Sequence, residues 1–94
     1  MYIRVTRGQL DPTRYEELVA MAQDITAAIN AVPGCQSIQY GGDRTSGQTI
    51  TVTTWDTEEH ARMTRDTALA AIMPRIQALG IQLNPPEIYE SIPT

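Results

Sequence analysis

Chemistry in this chain would centre on its one tryptophan and its one histidine. Trp55 and His60 fall in the segment Gly47 to Arg62 (GQTITVTTWDTEEHAR), where a threonine-rich strand is predicted to lead directly into a helix. In the first turn of a helix the macrodipole disfavours the imidazolium form, so a neutral His60 could accept a proton from a phenol or an enol near neutral pH. The alternative is that His60 is an exposed side chain that packs on Trp55.

Arginines are the candidate groups for binding an anion. Arg62, Arg65 and Arg75 fall on the predicted second helix, where each could hold an anionic substrate group or stabilise developing negative charge. The alternative for each is a solvated surface arginine. Arg4 and Thr6 share one face of the predicted first strand. If that face meets the helices, they line a pocket, and if it meets a second subunit, they lie in an interface; the sequence leaves both open.

The composition argues against several classes of function. The net charge is -4 and the seven basic residues are scattered arginines, so the basic surface of a nucleic-acid-binding protein is missing. One cysteine, Cys35, and one histidine leave no Cys-rich or His-rich metal site. No apolar run approaches the roughly 20 residues that cross a bilayer, and no signal-peptide pattern opens the chain. We therefore expect one cytoplasmic domain over residues 1–94, with no membrane or nucleic-acid partner.

Hydrophobic periodicity predicts the first strand and the first helix. Residues Tyr2 to Arg7 alternate with period two, as in a strand. Asp11 is the predicted N-cap of the helix, and Pro12 its first residue. An apolar stripe at three- and four-residue spacing then predicts one side of a helix that ends at Pro33-Gly34. The stripe consists of Tyr15, Leu18, Ala22, Ile25, Ile29 and Val32.

A hairpin is predicted next, with strands Cys35 to Tyr40 and Thr49 to Trp55 joined by a glycine-rich loop. One face of its second strand carries Thr49, Thr51, Thr53 and Trp55. Asp56 and Glu59 form a predicted capping box for the following helix. In that register Trp55 and His60 occupy the hydrophobic-staple positions on either side of the cap, so their side chains should touch.

The second helical region has an interrupted apolar stripe, formed by Leu69, Ile72, Ile76 and Leu79. If the stripe is continued towards the N-terminus at the same spacing, the next positions are Arg65 and Arg62. Either the helix changes register near Asp66-Thr67, or two arginines lean towards the buried side. Pro74 should kink the helix or restart it, which predicts two helical pieces. After Gly80 and Pro85-Pro86, the alternation of Glu87 to Ile92 predicts the last strand.

The order strand, helix, strand, strand, helix, strand predicts an α+β fold, the ferredoxin-like sandwich, with a four-stranded antiparallel sheet and both helices on one face. Residues that prefer burial lie on both faces of this sheet. Ile3, Val5, Ile50 and Val52 share one face, and Tyr2, Thr51, Thr53 and Trp55 share the other. Leaving the apolar residues of a whole face exposed to water would lose several kcal/mol of stability, at about 25 cal/mol per Å² of apolar surface. We therefore expect a homodimer with its sheets face to face.

Three segments carry a resemblance to a known family: Val32-Pro33-Gly34-Cys35, the strand-to-helix segment Thr53 to Glu59, and Pro86-Glu87-Ile88-Tyr89. Nearly end to end, the chain resembles the dimeric α+β barrel superfamily and, within it, the antibiotic biosynthesis monooxygenase-like domains. The resemblance implies a pocket between the sheet and the helices of each protomer. It also implies a small-molecule substrate and, for the oxygenases of this group, no cofactor.

The resemblance also implies roles for particular residues. Trp55 matches a pocket tryptophan of the oxygenases, and Thr51 stands where they carry an asparagine. Thr51 and Thr53 would then supply hydroxyl groups to the pocket. Arg75 lies near the place of a pocket arginine. The axial histidine of the haem-degrading members has no counterpart, because this chain has Ala70 to Pro74 in that part of the helix.

Three functions remain open from the sequence. The first is a cofactor-independent monooxygenase acting on a small aromatic or polyketide-like phenol, with His60 as the proton acceptor and the pocket hydroxyls and an arginine stabilising the phenolate. The second is a non-oxidative isomerase, cyclase or decarboxylase that uses the same proton transfer. The third is a dimeric small-molecule-binding domain without chemistry.

Overall fold

The computed structural model describes residues 1–62 and 67–94, and for residues 67–69 it describes the backbone alone. The register change expected near Asp66-Thr67 and the side chain of Arg65 therefore lie outside the described residues. Among the residues described, no helix is both long and apolar enough to cross a bilayer.

The described residues form five strands and three α-helices in the predicted order of strands and helical regions, except that the last strand is divided in two. The strands are β1 (Tyr2–Gln9), β2 (Cys35–Gly42), β3 (Gln48–Trp55), β4 (Gln82–Leu83) and β5 (Glu87–Glu90). The helices are α1 (Tyr15–Asn30), α2 (Glu58–Arg62) and α3 (Thr67–Ala78), and a 3-10 turn, Pro12–Arg14, precedes α1.

Thus α1 begins later than predicted. Asp11 nevertheless caps the turn, because its Oδ1 accepts a hydrogen bond from the backbone N of Thr13 at 3.0 Å.

The sheet is antiparallel, and its strands lie in the order β2-β3-β1, with β4 and β5 both paired to the remaining edge of β1. β5 pairs with residues 2–5 of β1 and β4 with residues 8–9. Pro85-Pro86 separates the two short strands, because proline has no N–H to donate to a ladder. The sheet is therefore four positions wide, as predicted, with its last position divided in two.

The pairing of β1 with β3 decides which face of the sheet meets the helices. Tyr2 lies opposite Trp55, Arg4 opposite Thr53, and Thr6 opposite Thr51, so all six side chains share one face. Thr49, Thr53 and Trp55 are buried on this inner face, and the helices cover it. Its core is completed by residues of the helices and of the segments that join them to the sheet: Leu10, Leu18, Ile25, Ile29, Val32, Ala61, Ile72, Ile76 and Leu79.

Two local predictions for the second helical region are wrong. The cap of α2 is Thr57 rather than Asp56, because the Thr57 hydroxyl accepts from the backbone N of His60 at 3.1 Å. With Thr57 as the cap, the hydrophobic-staple positions are Asp56 and Ala61 instead of Trp55 and His60. Of the two outcomes expected at Pro74, the restart is wrong, because Pro74 lies inside α3, and the kink stays a prediction. The carbonyl that loses its partner there belongs to exposed Ala70, where water can satisfy it.

Asp56 and His60 form a hydrogen-bonded pair over Gly34, where β3 leads into α2. The Asp56 Oδ1 atom lies 2.6 Å from the His60 Nδ1 atom. The backbone N of Asp56 donates to the Gly34 carbonyl at 3.0 Å. Gly34 has φ +89°, and a Cβ atom at this position would clash with both side chains of the pair. The Pro33-Gly34 turn therefore packs directly against the start of α2.

We predict that Gly34→Ala destabilises the fold by about 1–3 kcal/mol, because the left-handed backbone and the overlap with Asp56 and His60 both oppose a side chain. Gly41→Ala is the matched control, since a Cβ there would meet only the Ile50 Cγ2 atom, at 3.8 Å. Urea unfolding followed by Trp55 fluorescence measures both. Equal losses of stability in the two variants would contradict the packing described for Gly34.

The Asp56–His60 pair also predicts a pH dependence. The hydrogen bond from His60 holds the pKa of the Asp56 carboxyl below its ordinary value. This stabilisation is therefore fully present above the ordinary aspartate pKa of about 3.9 and is lost as the pH falls through the lowered value. We expect the difference in unfolding free energy between wild type and Asp56→Asn to shrink as the pH falls below about 4. In a His60→Gln background that pH dependence should be much weaker, and an unchanged dependence would contradict the pairing.

Candidate functional site

A small chamber of about 90 Å³ lies between the inner face of the sheet and the helices. One wall is polar and comes from β1 and β3, with the side chains of Arg4, Thr6, Thr51 and Thr53. The opposite wall is apolar and comes from α1 and α3, with Ile25, Ile29, Met73 and Ile76, while Leu83 of β4 adds an apolar side chain on the sheet side. The structure thus brings together four of the residues predicted as pocket residues, all on the two central strands.

Arg4 is the cation of this chamber. Its Nη1 atom donates to the carbonyls of Ala61 and Arg62, each at 2.9 Å, at the C-terminal end of α2. Its Nε atom is buried and has no hydrogen-bond partner among the described residues. No ion pair of the described residues includes Arg4, and burial lowers the pKa of its guanidinium. An arginine remains charged even so, and the site is electrostatically suited to an anion.

Trp55 holds the polar wall of the chamber in place through hydrogen bonds. Its side chain is fully buried, and its Nε1 atom donates to the Thr53 hydroxyl at 2.7 Å. The Thr53 hydroxyl in turn donates to the Arg4 carbonyl at 3.4 Å. Trp55 does not line the chamber, but this chain of hydrogen bonds holds Thr53 and the backbone of Arg4 in place. A core role and a site role for Trp55 are therefore compatible.

Tyr40 is a chamber residue that the sequence analysis did not single out. It lies on β2 directly opposite Thr51, on the same inner face, and its ring closes the chamber at the β2 edge. Burial, and secondarily the neighbouring Tyr15, raise the pKa of its phenol, so it is a neutral hydroxyl near pH 7. The available signal was the period-two alternation of β2, which places Tyr40 and Ile38 on one face.

His60 lies on α2, outside the described lining of the chamber. Its side chain is 43% exposed, and its contact with Asp56 engages Nδ1. Because the pKa of Asp56 is lowered, that carboxylate is ionised near neutral pH and accepts the Nδ1 proton. The Nε2 atom is then the nitrogen of His60 that can accept another proton. His60 is nonetheless connected to the site through the chain, since Arg4 binds the carbonyl of the next residue, Ala61.

The arginines of the second helical region lie elsewhere. Arg62 pairs with Glu58 at 2.6 Å, and Arg75 pairs with Asp24 at 3.1 Å, and in both pairs the side chains are exposed. Neither arginine lines the chamber, so the solvated alternative describes them. Arg65 lies outside the described side chains. Of the candidate cations whose side chains are described, Arg4 is the one that reaches the chamber.

Metal and thiol chemistry find little support in the described part of the chain. No group of three or more His, Cys, Asp or Glu side chains is placed there to hold a metal ion. Burial raises the pKa of the Cys35 thiol, whose Sγ donates to the Ser37 carbonyl at 3.7 Å. A raised pKa makes the thiolate less available, and the Cys35 side chain packs against the hydrophobic core, as expected of a small packing residue.

The sequence matches no protein-family model and no curated protein. Its structure, however, is similar to several solved ones. A candidate antibiotic biosynthesis monooxygenase from Deinococcus radiodurans has a TM-score of 0.78 at 16% identity, and the match covers 100% of this chain and 95% of that one. A second candidate antibiotic biosynthesis monooxygenase, from Nitrosomonas europaea, has a TM-score of 0.79 at 9% identity, with 98% and 99% covered.

SnoaB, a cofactor-independent oxygenase from Streptomyces nogalater, is also similar, with a TM-score of 0.65 at 18% identity and 99% and 94% of the two chains covered. At such identities the similarity is one of fold. The expected resemblance is confirmed at that level: the chain has the ferredoxin-like α+β fold of these antibiotic biosynthesis monooxygenase-like proteins.

Proposed function

We propose that this protein is a cofactor-independent monooxygenase acting on a small aromatic or polyketide-like phenol, which binds as its phenolate in the chamber. The observation that carries the proposal is Arg4, a half-buried cation with an unpaired Nε and no carboxylate partner among the described residues. The fold shared with the oxygenase from Streptomyces nogalater supports it.

Arg4 would select the ionised substrate. A buried cation without a counter-ion is costly, and an anionic oxygen beside the guanidinium removes that cost. The same interaction lowers the pKa of a bound phenol, because an opposite charge nearby favours the ionised form. The hydroxyls of Thr6, Thr51 and Thr53 can donate to the substrate oxygens, and the apolar wall of Ile25, Ile29 and Ile76 excludes water from the ring.

An electron-rich phenolate or anthrone-like anion can reduce oxygen without a bound cofactor. When an anthrone-like methylene becomes a carbonyl, the substrate gives up four electrons and dioxygen takes up four. One oxygen atom enters the product, and the other leaves as water with the two methylene hydrogens. The reaction balances without an external reductant. The residues would bind the anion, orient it and exclude water.

His60 is the proposed proton acceptor. With Asp56 holding Nδ1, its Nε2 is available for the proton of the phenol, and Asp56 would stabilise the imidazolium that forms. The proposal relies on the position of His60 in α2, next to the carbonyl that Arg4 binds. His60 and Arg4 therefore have separable roles, one in proton transfer and one in charge stabilisation.

One observation favours the non-catalytic alternative. The chamber measures about 90 Å³, whereas pockets for drug-sized ligands usually have at least about 300 Å³. A domain that binds a small anion without turning it over would fit such a space. A non-oxidative isomerase, cyclase or decarboxylase using the same proton acceptor is distinguished by turnover that persists without oxygen.

We further propose that the outer face of the sheet is covered by a second copy of the chain. Ile3, Val5, Ile50 and Val52 share this face, and Tyr89, opposite Ile3 on β5, is 53% exposed. The helices occupy the inner face, so they leave this apolar surface to a partner. A face-to-face dimer of sheets is self-complementary by symmetry and would bury roughly 1,200–2,000 Å² in total.

The catalytic proposal predicts oxygen consumption with a panel of hydroquinones and anthrone-like phenols. Arg4→Gln should lower kcat/KM by about 10²–10³-fold, as expected when a group stabilising developing charge is removed. His60→Ala should lower kcat by about 10²-fold and alter its pH profile. Arg7→Gln is the matched control, because Arg7 lies on the same strand but on the outer face, in an exposed pair with Glu87.

Circular dichroism of each variant separates lost folding from lost chemistry, which matters for Arg4 because it also binds the end of α2. Oxygen uptake by the wild type that does not exceed that of His60→Ala would count against the monooxygenase. Substrate turnover that is equal with and without oxygen would replace it with the non-oxidative alternative.

The dimer proposal predicts a dimer at micromolar concentration in sedimentation or light scattering. Val52→Asp should give a monomer, because it places a charge in the apolar centre of the outer face. Val19→Asp should leave the dimer intact, since Val19 is an exposed apolar residue on α1, away from that face. A wild-type monomer, or equal effects of the two substitutions, would refute the proposed interface.

A further inference from the structure

A second apolar space lies next to the chamber, in a groove between α1 and the edge strand β2. It measures about 100 Å³ and is lined by Tyr15, Leu18, Val19, Ala22, Tyr40 and Gly41. Val19 is 44% exposed, so this groove is open to solvent on its α1 side.

The groove and the chamber lie next to each other along α1. Leu18 and Ala22 line the groove, and Ile25 and Ile29 line the chamber, at successive turns of the same helical stripe. Tyr40 lines both spaces. Its ring is therefore the partition that separates the inner chamber from the open groove.

The Tyr40 ring has no polar anchor at its end. Among the described hydrogen bonds, none is made by the Tyr40 hydroxyl. The residue is only partly buried, and its side chain packs against the hydrophobic core. A rotation of the ring therefore breaks no hydrogen bond of the described residues.

We propose that Tyr40 is a movable partition and that the ligand of the chamber is an elongated amphiphile, with its anionic oxygen at Arg4 and its apolar body extending past Tyr40 into the groove. The anionic head rests on the function proposed above, whereas the elongated shape follows from the two adjoining spaces. This shape also accounts for the small chamber, because the site of such a ligand includes the groove.

Two carboxylates that do not react with oxygen test the inference: benzoate, which fits the chamber end alone, and biphenyl-4-carboxylate, which needs both spaces. We expect the wild type to bind biphenyl-4-carboxylate at least about tenfold more tightly than benzoate, because the second ring is removed from water in the groove. Ala22→Leu fills the groove and should abolish this preference while leaving benzoate binding unchanged. Ala20→Leu, an exposed position on α1 outside the groove, should preserve the preference. Isothermal titration measures the affinities of the three proteins for both probes.

Tyr40→Ala removes the partition and should speed the association of biphenyl-4-carboxylate in stopped-flow measurements of Trp55 fluorescence. Equal affinity of the wild type for the two probes would overturn the inference, and so would an Ala22→Leu variant that keeps the preference or weakens both probes alike. Because neither probe can be oxidised in the proposed reaction, a chain that consumes no oxygen but still prefers biphenyl-4-carboxylate would refute the proposed catalysis and support the elongated site.

Discussion

The register between β1 and β3 is the constraint on which the rest of the structure depends. It sets Arg4 beside Thr53, Thr6 beside Thr51, and Tyr2 beside the buried Trp55. Because side chains alternate across a sheet, a slip of one residue would turn the polar wall outwards and bring Val5 and Val52 to the helices. The same register therefore sets the core, the chamber and the apolar outer face. The complete burial of Trp55 on the inner face favours the observed register, because a slip would turn this large side chain to the outer face.

Arg4 connects this scaffold to chemistry. Its guanidinium donates to the carbonyls of Ala61 and Arg62, the last two residues that the structure assigns to α2, and so joins β1 to that helix. Charge-assisted hydrogen bonds of this kind offset part of the cost of burying the guanidinium. The Nε atom is buried and unpaired among the described residues, and Arg4 lines the chamber. One side chain thus stabilises the fold and leaves a positive charge in the site.

The apolar stripe of α1 has three uses along its length. At its N-terminal end Leu18 and Ala22 line a groove, and further along Ile25 and Ile29 wall the chamber while they also belong to the hydrophobic core. A small domain has few buried residues, so the same side chains serve both packing and ligand contact. Substitutions along this stripe are accordingly expected to couple stability with binding.

Much of the fold could be predicted from the sequence, because it is encoded by local patterns. Period-two alternation identified the main strands, the stripe from Tyr15 to Val32 identified α1, and the order of elements identified the ferredoxin-like sandwich. The face shared by Thr51, Thr53 and Trp55 was also visible in the alternation. The cap at Thr57 was missed because Asp56 offers an equally good local pattern, and the division of the last strand was missed because β4 is only two residues long.

The site was only partly predictable, since its members are separated in the chain. The sequence by itself determined that Arg4, Thr6, Thr51 and Thr53 project from faces of two strands. Only the tertiary structure decided that these faces lie side by side beneath the helices, that Tyr40 closes the chamber, and that Arg75 pairs with Asp24 outside it. The physical reason is that alternation sets the side of a strand on which a residue lies, whereas long-range pairing and helix packing decide what that side meets.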